Sequence, residues 1–211
     1  MTQHDLFAGI VLCGGKSSRM GRSKSELRFG AKTALQRIVC VLHELFPLVV
    51  VVGSPGMTCP QFSERTLFVH DAEPFQGPLS GLLTGLDAIP AGVTAGYLTG
   101  CDTPLLNPKL VQLICDELLA GMEISVADDG NRWQPLAAAY RCELRPRIRQ
   151  MLNSGERSLQ TLLRNSMTRP VERSRLLNID PALESLRGMN NAAEYAELLS
   201  RFDMTHPTTK L

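Results

Sequence analysis

Apolar and polar positions fall along this chain in alternating blocks, a short unbroken apolar run and then a stretch spaced for a helix. Leu6 to Leu12 is apolar throughout, which predicts a strand buried on both faces, central in a parallel sheet. Thr33 and Gln36 carry the spacing of a capping box. Leu35, Ile38, Val39, Leu42, Leu45 and Phe46 then recur with helical period up to Pro47, which ends the helix. Leu48 to Val52 reads as a second buried strand closed by Gly53, Pro55 and Gly56, and Leu67 to His70 as a third that ends at Asp71. A helix is expected from Gly77-Pro78-Leu79-Ser80 to about Ile89. It carries Gly81 and Gly85, each costing about 1 kcal/mol relative to alanine in a helix interior; that cost suggests close packing or ligand approach. Ala95 to Gly100 is a fourth strand, delivering Cys101-Asp102-Thr103-Pro104. Asn107 caps a helix with Pro108 in its first turn, running to about Ala120. Strands follow at Glu123 to Ala127 and Leu136 to Tyr140, on either side of the turn Asp128-Asp129-Gly130-Asn131. Helices are expected over 143–152, 158–165 and 192–202, the last capped by Asn191 with Glu194. A strand is expected near 175–179, and 203–211 as a frayed tail.

Strands alternating with helices predict an α/β protein, a Rossmann-like doubly wound three-layer sandwich with a mostly parallel sheet. The 211 residues suit one domain, 1–211, with no internal repeat. Ligands of such sheets lie at the carboxyl ends of the strands, where this sequence puts Gly14, Gly53, Asp71 and Asp102. A net charge of +1 gives no reason to expect nucleic acid or an anionic membrane as partner. The six cysteines (13, 40, 59, 101, 115 and 142) form no C-x-x-C pair and no disulfide-like pattern; Cys13, Cys101 and Cys115 read as small core residues. The opening Met-Thr-Gln-His-Asp does not resemble a signal sequence, and no apolar run is long enough to span a bilayer. A reducing cytoplasm is the expected location.

The charge that matters is local. Between Gly14 and Lys24 lie Lys16, Arg19, Arg22 and Lys24, with no acid among them. A buried strand ending in glycines and cations is a device for holding phosphates, since glycine lets backbone N–H groups approach an anion closely. It is not a Walker loop: Gly15-Lys16-Ser17 supplies the end of that pattern, but residue 10, where its first glycine must stand, is isoleucine. The dinucleotide fingerprint fails because Gly14 and Gly15 are adjacent. A carboxylate such as Asp102 facing a phosphate loop would repel the anion unless a cation lay between them. Mg²⁺ meets this need, because it binds phosphates through one or two carboxylates; the competing reading is a turn or cap aspartate before Pro104. Asp71 reads equally as a nucleotide contact or a loop aspartate. Lys16 reads equally as a contact or a solvated lysine, and Arg19 offers a planar fork for phosphate oxygens. Trp133 is the single tryptophan, available to stack on a ring or to fill core.

Leu12, Gly14, Gly15, Ser18, Arg19, Met20, Gly21 and Lys24 stand where the signature of the molybdenum cofactor guanylyltransferase family has them, and the chain resembles that family over nearly its whole length. It departs at Cys13, where alanine is usual, and at Ser23, where an aspartate commonly precedes the lysine. Gly77-Pro78-Leu79-Ser80-Gly81 resembles the family's Gly-Pro-Leu-Ala-Gly, Cys101-Asp102-Thr103-Pro104 its metal-binding motif, and Gln134-Pro135-Leu136 and Gly155-Glu156-Arg157 two further segments. Asn190 resembles an Asn of the family's carboxyl-terminal motif, but the first Asn, the Thr and the Pro of that motif are replaced in Gly188-Met189-Asn190-Asn191-Ala192.

The resemblance implies a nucleotide-diphospho-sugar transferase-like fold, with a nucleotide half over about 6–106 and an acceptor half over about 107–202. It implies transfer of GMP from GTP to the terminal phosphate of molybdopterin, with release of pyrophosphate. Arg19, Lys24 and Asp102 would be catalytic, with Mg²⁺ on Asp102. Leu12, Cys13, Gly14, Gly15, Lys24, Gly53, Asp71, Gly77, Pro78, Leu79 and Asp102 would line the nucleotide site. Gln134, Arg157 and Asn190 would face the pterin. Cofactor-inserting proteins and molybdoenzyme apoproteins would be partners. The alternatives are a cytidylyltransferase on molybdopterin, a nucleotidyltransferase on a sugar phosphate, and a non-catalytic nucleotide-binding module.

Overall fold

The computed structural model describes residues 6–13, 24–58, 61–71 and 77–205. Nine strands and seven α-helices are present among them. The first strand, β1 (Phe7–Cys13), is central as expected: it pairs in parallel with β4 (Val49–Gly53) on one side and β6 (Ala95–Gly100) on the other. β5 (Thr66–His70) extends the sheet beyond β4. On the far side β6 meets β8 (Trp133–Arg141), which runs antiparallel to it and to β7 (Ile124–Asp128); β9 (Thr168–Val171) closes the edge in parallel with β7. The order is β5-β4-β1-β6-β8-β7-β9, and every strand but β8 runs one way. A two-stranded ribbon, β2 (Arg28–Phe29) with β3 (Lys32–Thr33), stands apart from it.

Strand side chains alternate between faces, so β1 serves two cores at once. Phe7, Val11 and Cys13 face α1 (Ala34–His43) and α3 (Pro108–Asp116); Ala8 and Ile10 face α2 (Pro78–Asp87), α4 (Arg145–Asn153) and α5 (Leu159–Arg164). The local signals hold where they are strong. Thr33 and Gln36 form both bonds of the capping box at the start of α1, and the Asn107 side chain accepts from the Lys109 amide at the start of α3, with Pro108 in the first turn. The two glycines of α2 are there for packing. A Cβ at Gly85 would lie 2.5 Å from Ile10 Cγ2, and one at Gly81 3.0 Å from Leu12 Cδ2, so the helix lies directly on β1.

Two expectations are corrected. The segment near 175–179 is not a strand: Arg173–Leu177 is a helix, α6, and the edge strand is Thr168–Val171. Leu176, Leu177 and Ile179 are too few to separate the two periods; in the fold Leu176 is fully buried, and its amide donates to the Glu172 carbonyl. The true strand was obscured by Pro170, which an edge strand tolerates. Nor does the last helix end at 202: α7 (Ala192–Thr205) continues through Thr205, and the rest of the expected tail, 206–211, lies outside the described residues.

A smaller third core fixes the approach to the sheet edge. Leu27, Phe29 and Ala34 pack with Met189, Leu198 and Phe202. Phe29 meets Tyr195 and Phe202 edge to face, with ring centroids 5.5 and 5.9 Å apart, a favoured geometry for aromatic pairs. The carboxyl-terminal helix is thereby clamped on the segment that begins at Lys24.

Candidate active site

The carboxyl ends of β1, β4, β5 and β6 lie side by side, because the strands are parallel and in register: Cys13 pairs with Gly53, and Gly53 with His70. Asp71 and Asp102 follow the last residues of β5 and β6. The antiparallel β8 begins at this same edge, since Thr99 pairs with Ala137, so Gln134 also stands here. Five of the elements expected to carry chemistry therefore share one rim.

At its centre lies a three-residue cluster. The Lys24 ammonium donates to Asn190 Oδ1 at 2.8 Å and lies 3.4 Å from Asp102 Oδ2. Both charged side chains are mostly withdrawn from water, Lys24 22 % and Asp102 25 % exposed. Glycines hold space open on two sides of the carboxylate. A Cβ at Gly100 would lie 2.5 Å from Asp102 Oδ1, and one at Gly188 3.3 Å from Oδ2. The Asp102 carbonyl accepts from the Met189 amide at 3.0 Å, which ties the segment before α7 to the end of β6. Thr103 Oγ1 donates to the Gly100 carbonyl and meets Thr99 Oγ1 at 3.1 Å, fixing the turn that presents Asp102. A carboxylate kept clear by glycines has the chemistry of a ligand for a hard divalent cation.

A second cluster lies at the start of α2. Asp71 Oδ1 accepts from Ser80 Oγ at 2.8 Å and from Thr84 Oγ1 at 3.3 Å, and the Asp71 amide donates to the Gly53 carbonyl. Gly77 has φ +85°, a conformation that favours glycine, and a Cβ on it would lie 3.4 Å from the Arg157 carbonyl oxygen. The Gly-Pro-Leu and Gly-Glu-Arg segments, 78 residues apart, are thus neighbours. Glu156 Oε1 accepts from the Arg157 and Ser158 amides, and Arg157 Nη1 donates to the Leu152 carbonyl at 2.6 Å.

Other expected residues have a packing reason for their identity. Gly53 is glycine because Phe68 Cζ would lie 2.5 Å from its Cβ, and the Leu79 side chain is fully buried in the core. The Leu12 side chain, partly buried, packs on Gly81. Gln134 Nε2 donates to Asp129 Oδ2 at 2.5 Å, bracing the β7–β8 turn. Trp133 is partly buried against the core that contains α5, and its carbonyl accepts from Gln160. Cys13 is buried; a hydrogen bond with the Cys101 thiol, then burial, hold its pKa well above the ordinary thiol value. It is a buried core residue, as the sequence suggested. Gly14, Gly15, Lys16 and Arg19 lie outside the described residues.

Asn190 was expected on the acceptor side and is found on Lys24. Sequence reasoning missed Ser80 and Thr84, which hold Asp71, and the glycines beside Asp102. It read Glu194 only as a helix cap. The Glu194 side chain in fact accepts from the Asn190 amide and from Asn191 Nδ2.

Comparison with known proteins bears on this rim. Residues 9–171 match a family model described as the MobA-like NTP transferase domain, a stretch that includes Lys24, Asp71 and Asp102 and ends before Asn190. A protein named probable molybdenum cofactor guanylyltransferase from Mycobacterium avium (strain 104) is 37 % identical over 160 residues, covering 74 % of this chain and 80 % of that protein. The crystal structure of molybdopterin-guanine dinucleotide biosynthesis protein A from Archaeoglobus fulgidus is similar with a TM-score of 0.77 at 16 % identity, covering 93 % of this chain and 99 % of that one. A manganese complex of Rv0371c from Mycobacterium tuberculosis H37Rv is similar with a TM-score of 0.65 at 16 % identity, over 92 % of this chain and 98 % of that one. At such identity the two structures speak to the fold alone.

Proposed function

The chain belongs to the MobA-like NTP transferase family, and on that premise we propose that it transfers GMP from GTP to the terminal phosphate of molybdopterin, releasing pyrophosphate. The observation that carries the reading is the Lys24–Asp102–Asn190 cluster at the carboxyl rim, in a chain whose residues 14–24 have a glycine- and cation-rich sequence. The names of the similar sequences support the base and the acceptor.

An oxygen of the acceptor phosphate attacks the α-phosphorus, and the bond to the bridging oxygen of the departing pyrophosphate breaks. The attacking oxygen is already an anion, so no side chain needs to remove a proton. The work left to the protein is positioning and charge compensation. Lys24 neutralises charge on the nucleotide phosphates, its direction set by Asn190. Asp102 would hold a divalent cation, Mg²⁺ in this reading, which supplies charge neutralisation to the phosphates it shares. The resemblance would assign the remaining phosphate contacts to Gly14, Gly15 and Arg19, which lie outside the described residues. Asp71, held by Ser80 and Thr84, would orient the nucleoside at the start of α2, and Arg157, beside Gly77, would face the acceptor.

The test is turnover of molybdopterin with GTP, CTP, ATP or UTP and Mg²⁺, following pyrophosphate and the mass of the product. GTP should be strongly preferred and give the guanine dinucleotide. Preference for CTP would move the protein to the cytidylyl reaction, and the absence of pyrophosphate with every nucleotide would overturn the reading.

A further inference from the structure

The cap of the last helix reaches into the site. Glu194, in the first turn of α7, makes three bonds at once. Its Oε2 accepts from the Asn190 amide at 2.5 Å, its Oε1 accepts from Asn191 Nδ2 at 2.8 Å, and its own amide donates to Asn191 Oδ1 at 2.9 Å. A cap alone needs the Asn191 oxygen on the first-turn amides. The bond to the Asn190 amide lies outside the helix, and it fixes a residue whose Oδ1 receives the Lys24 ammonium at 2.8 Å. The next residue works on the same segment from the other side: Tyr195 Oη donates to the Arg28 carbonyl at 2.8 Å, and its ring packs on Phe29.

We propose that Glu194 is a positioning residue for Lys24, acting through Asn190, so that the start of α7 aims the ammonium of the phosphate site. Lys24 carries four rotatable side-chain bonds, and pointing it at one place costs side-chain entropy that a fixed acceptor offsets in advance. Asn190 is exposed. Its backbone is fixed from both sides, by the Met189 amide on the Asp102 carbonyl and by Glu194 on its own amide. The effect on turnover rests on the proposed function; the effect on Lys24 itself does not.

The experiment therefore reads Lys24 directly. Trace acylation of the native protein with acetic anhydride, resolved by peptide mass spectrometry, compares Lys24 with Lys109 as an internal standard. Glu194→Ala and Asn190→Ala should each raise Lys24 acylation about fivefold, as expected when an ordinary hydrogen bond is lost, with Lys109 unchanged. The double variant should go no further than Asn190→Ala, because both act along one path. Glu194→Gln, which keeps one acceptor for the Asn190 amide, should fall between wild type and Glu194→Ala. A lower melting temperature for Glu194→Ala with Lys24 acylation unchanged would overturn the proposal and leave Glu194 a cap only. Additive effects in the double variant would also overturn it. Raised acylation together with an unchanged kcat/KM for GTP would uphold the positioning and count against Lys24 in the proposed reaction.

Discussion

Asp102→Asn separates the chemistry of the rim from its stability. The substitution keeps the shape of the side chain and an oxygen near Lys24, and removes one negative charge. At the 3.4 Å separation of Lys24 and Asp102, two unit charges attract by about 5 kcal/mol at an effective dielectric of about 20 and by about 1 kcal/mol in water. Both groups keep contact with solvent, and desolvation opposes the attraction, so the pair contributes about 1 kcal/mol or less to folding. Lys24 also keeps its bond to Asn190. The melting temperature should therefore fall by no more than about 4 °C. Turnover should behave differently. If Asp102 holds a cation on the nucleotide phosphates, its loss should lower kcat/KM by about a thousandfold or more, roughly 4 kcal/mol. The assay is Mg²⁺-dependent pyrophosphate release at saturating molybdopterin, with thermal melting followed by circular dichroism on the same sample. A variant that keeps more than about a tenth of the wild-type kcat/KM would refute the assignment of the cation. A variant that loses activity and also melts well below that limit would refute the claim that Asp102 serves the site rather than the fold.

Gly85→Ala should destabilise the protein, although alanine is the better helix former by about 1 kcal/mol. The new Cβ would lie 2.5 Å from Ile10 Cγ2 in a fully buried contact, and overpacking of that kind costs about 1–3 kcal/mol; urea denaturation showing a gain in stability would contradict the packing account. Glu117 bonds Arg169 at 2.5 Å and Arg175 at 2.6 Å, joining α3 to the edge strand and α6. The Arg169 bond above all, with Arg175 adding to it and burial opposing, holds the carboxyl pKa below its ordinary value. Its stabilisation is therefore present above the unfolded pKa of about 4.3 and lost as pH falls through the lower folded value. Glu117→Gln should cost about 1 kcal/mol at pH 7, the upper end for pairs whose arginines face water, and the difference should close as the pH falls below about 4; a difference constant from pH 7 to pH 3 would count against the assignment.

What could be read from the sequence was whatever short-range energy decides. The unbroken apolar run of β1, the capping box at Thr33 and Gln36, and the Asn107-Pro108 start of α3 depend on residues a few positions apart, and all three stand in the structure. So does the arrangement that gathers Gly53, Asp71 and Asp102 at one rim, because parallel strands in register leave their carboxyl ends together. The tertiary structure alone decided the rest. It made Arg173–Leu177 a helix, since a three-leucine-sized apolar run fits either period until a neighbour covers one face, and it put a proline strand at the edge, where one missing amide is harmless. It gave Gly53 and Gly85 their reasons in Phe68 and Ile10. It also brought Asn190 to Lys24 across 166 residues of chain. That contact exists because Phe29, Tyr195 and Phe202 pack two distant segments into a core of their own. Local patterning carries no record of such long-range packing.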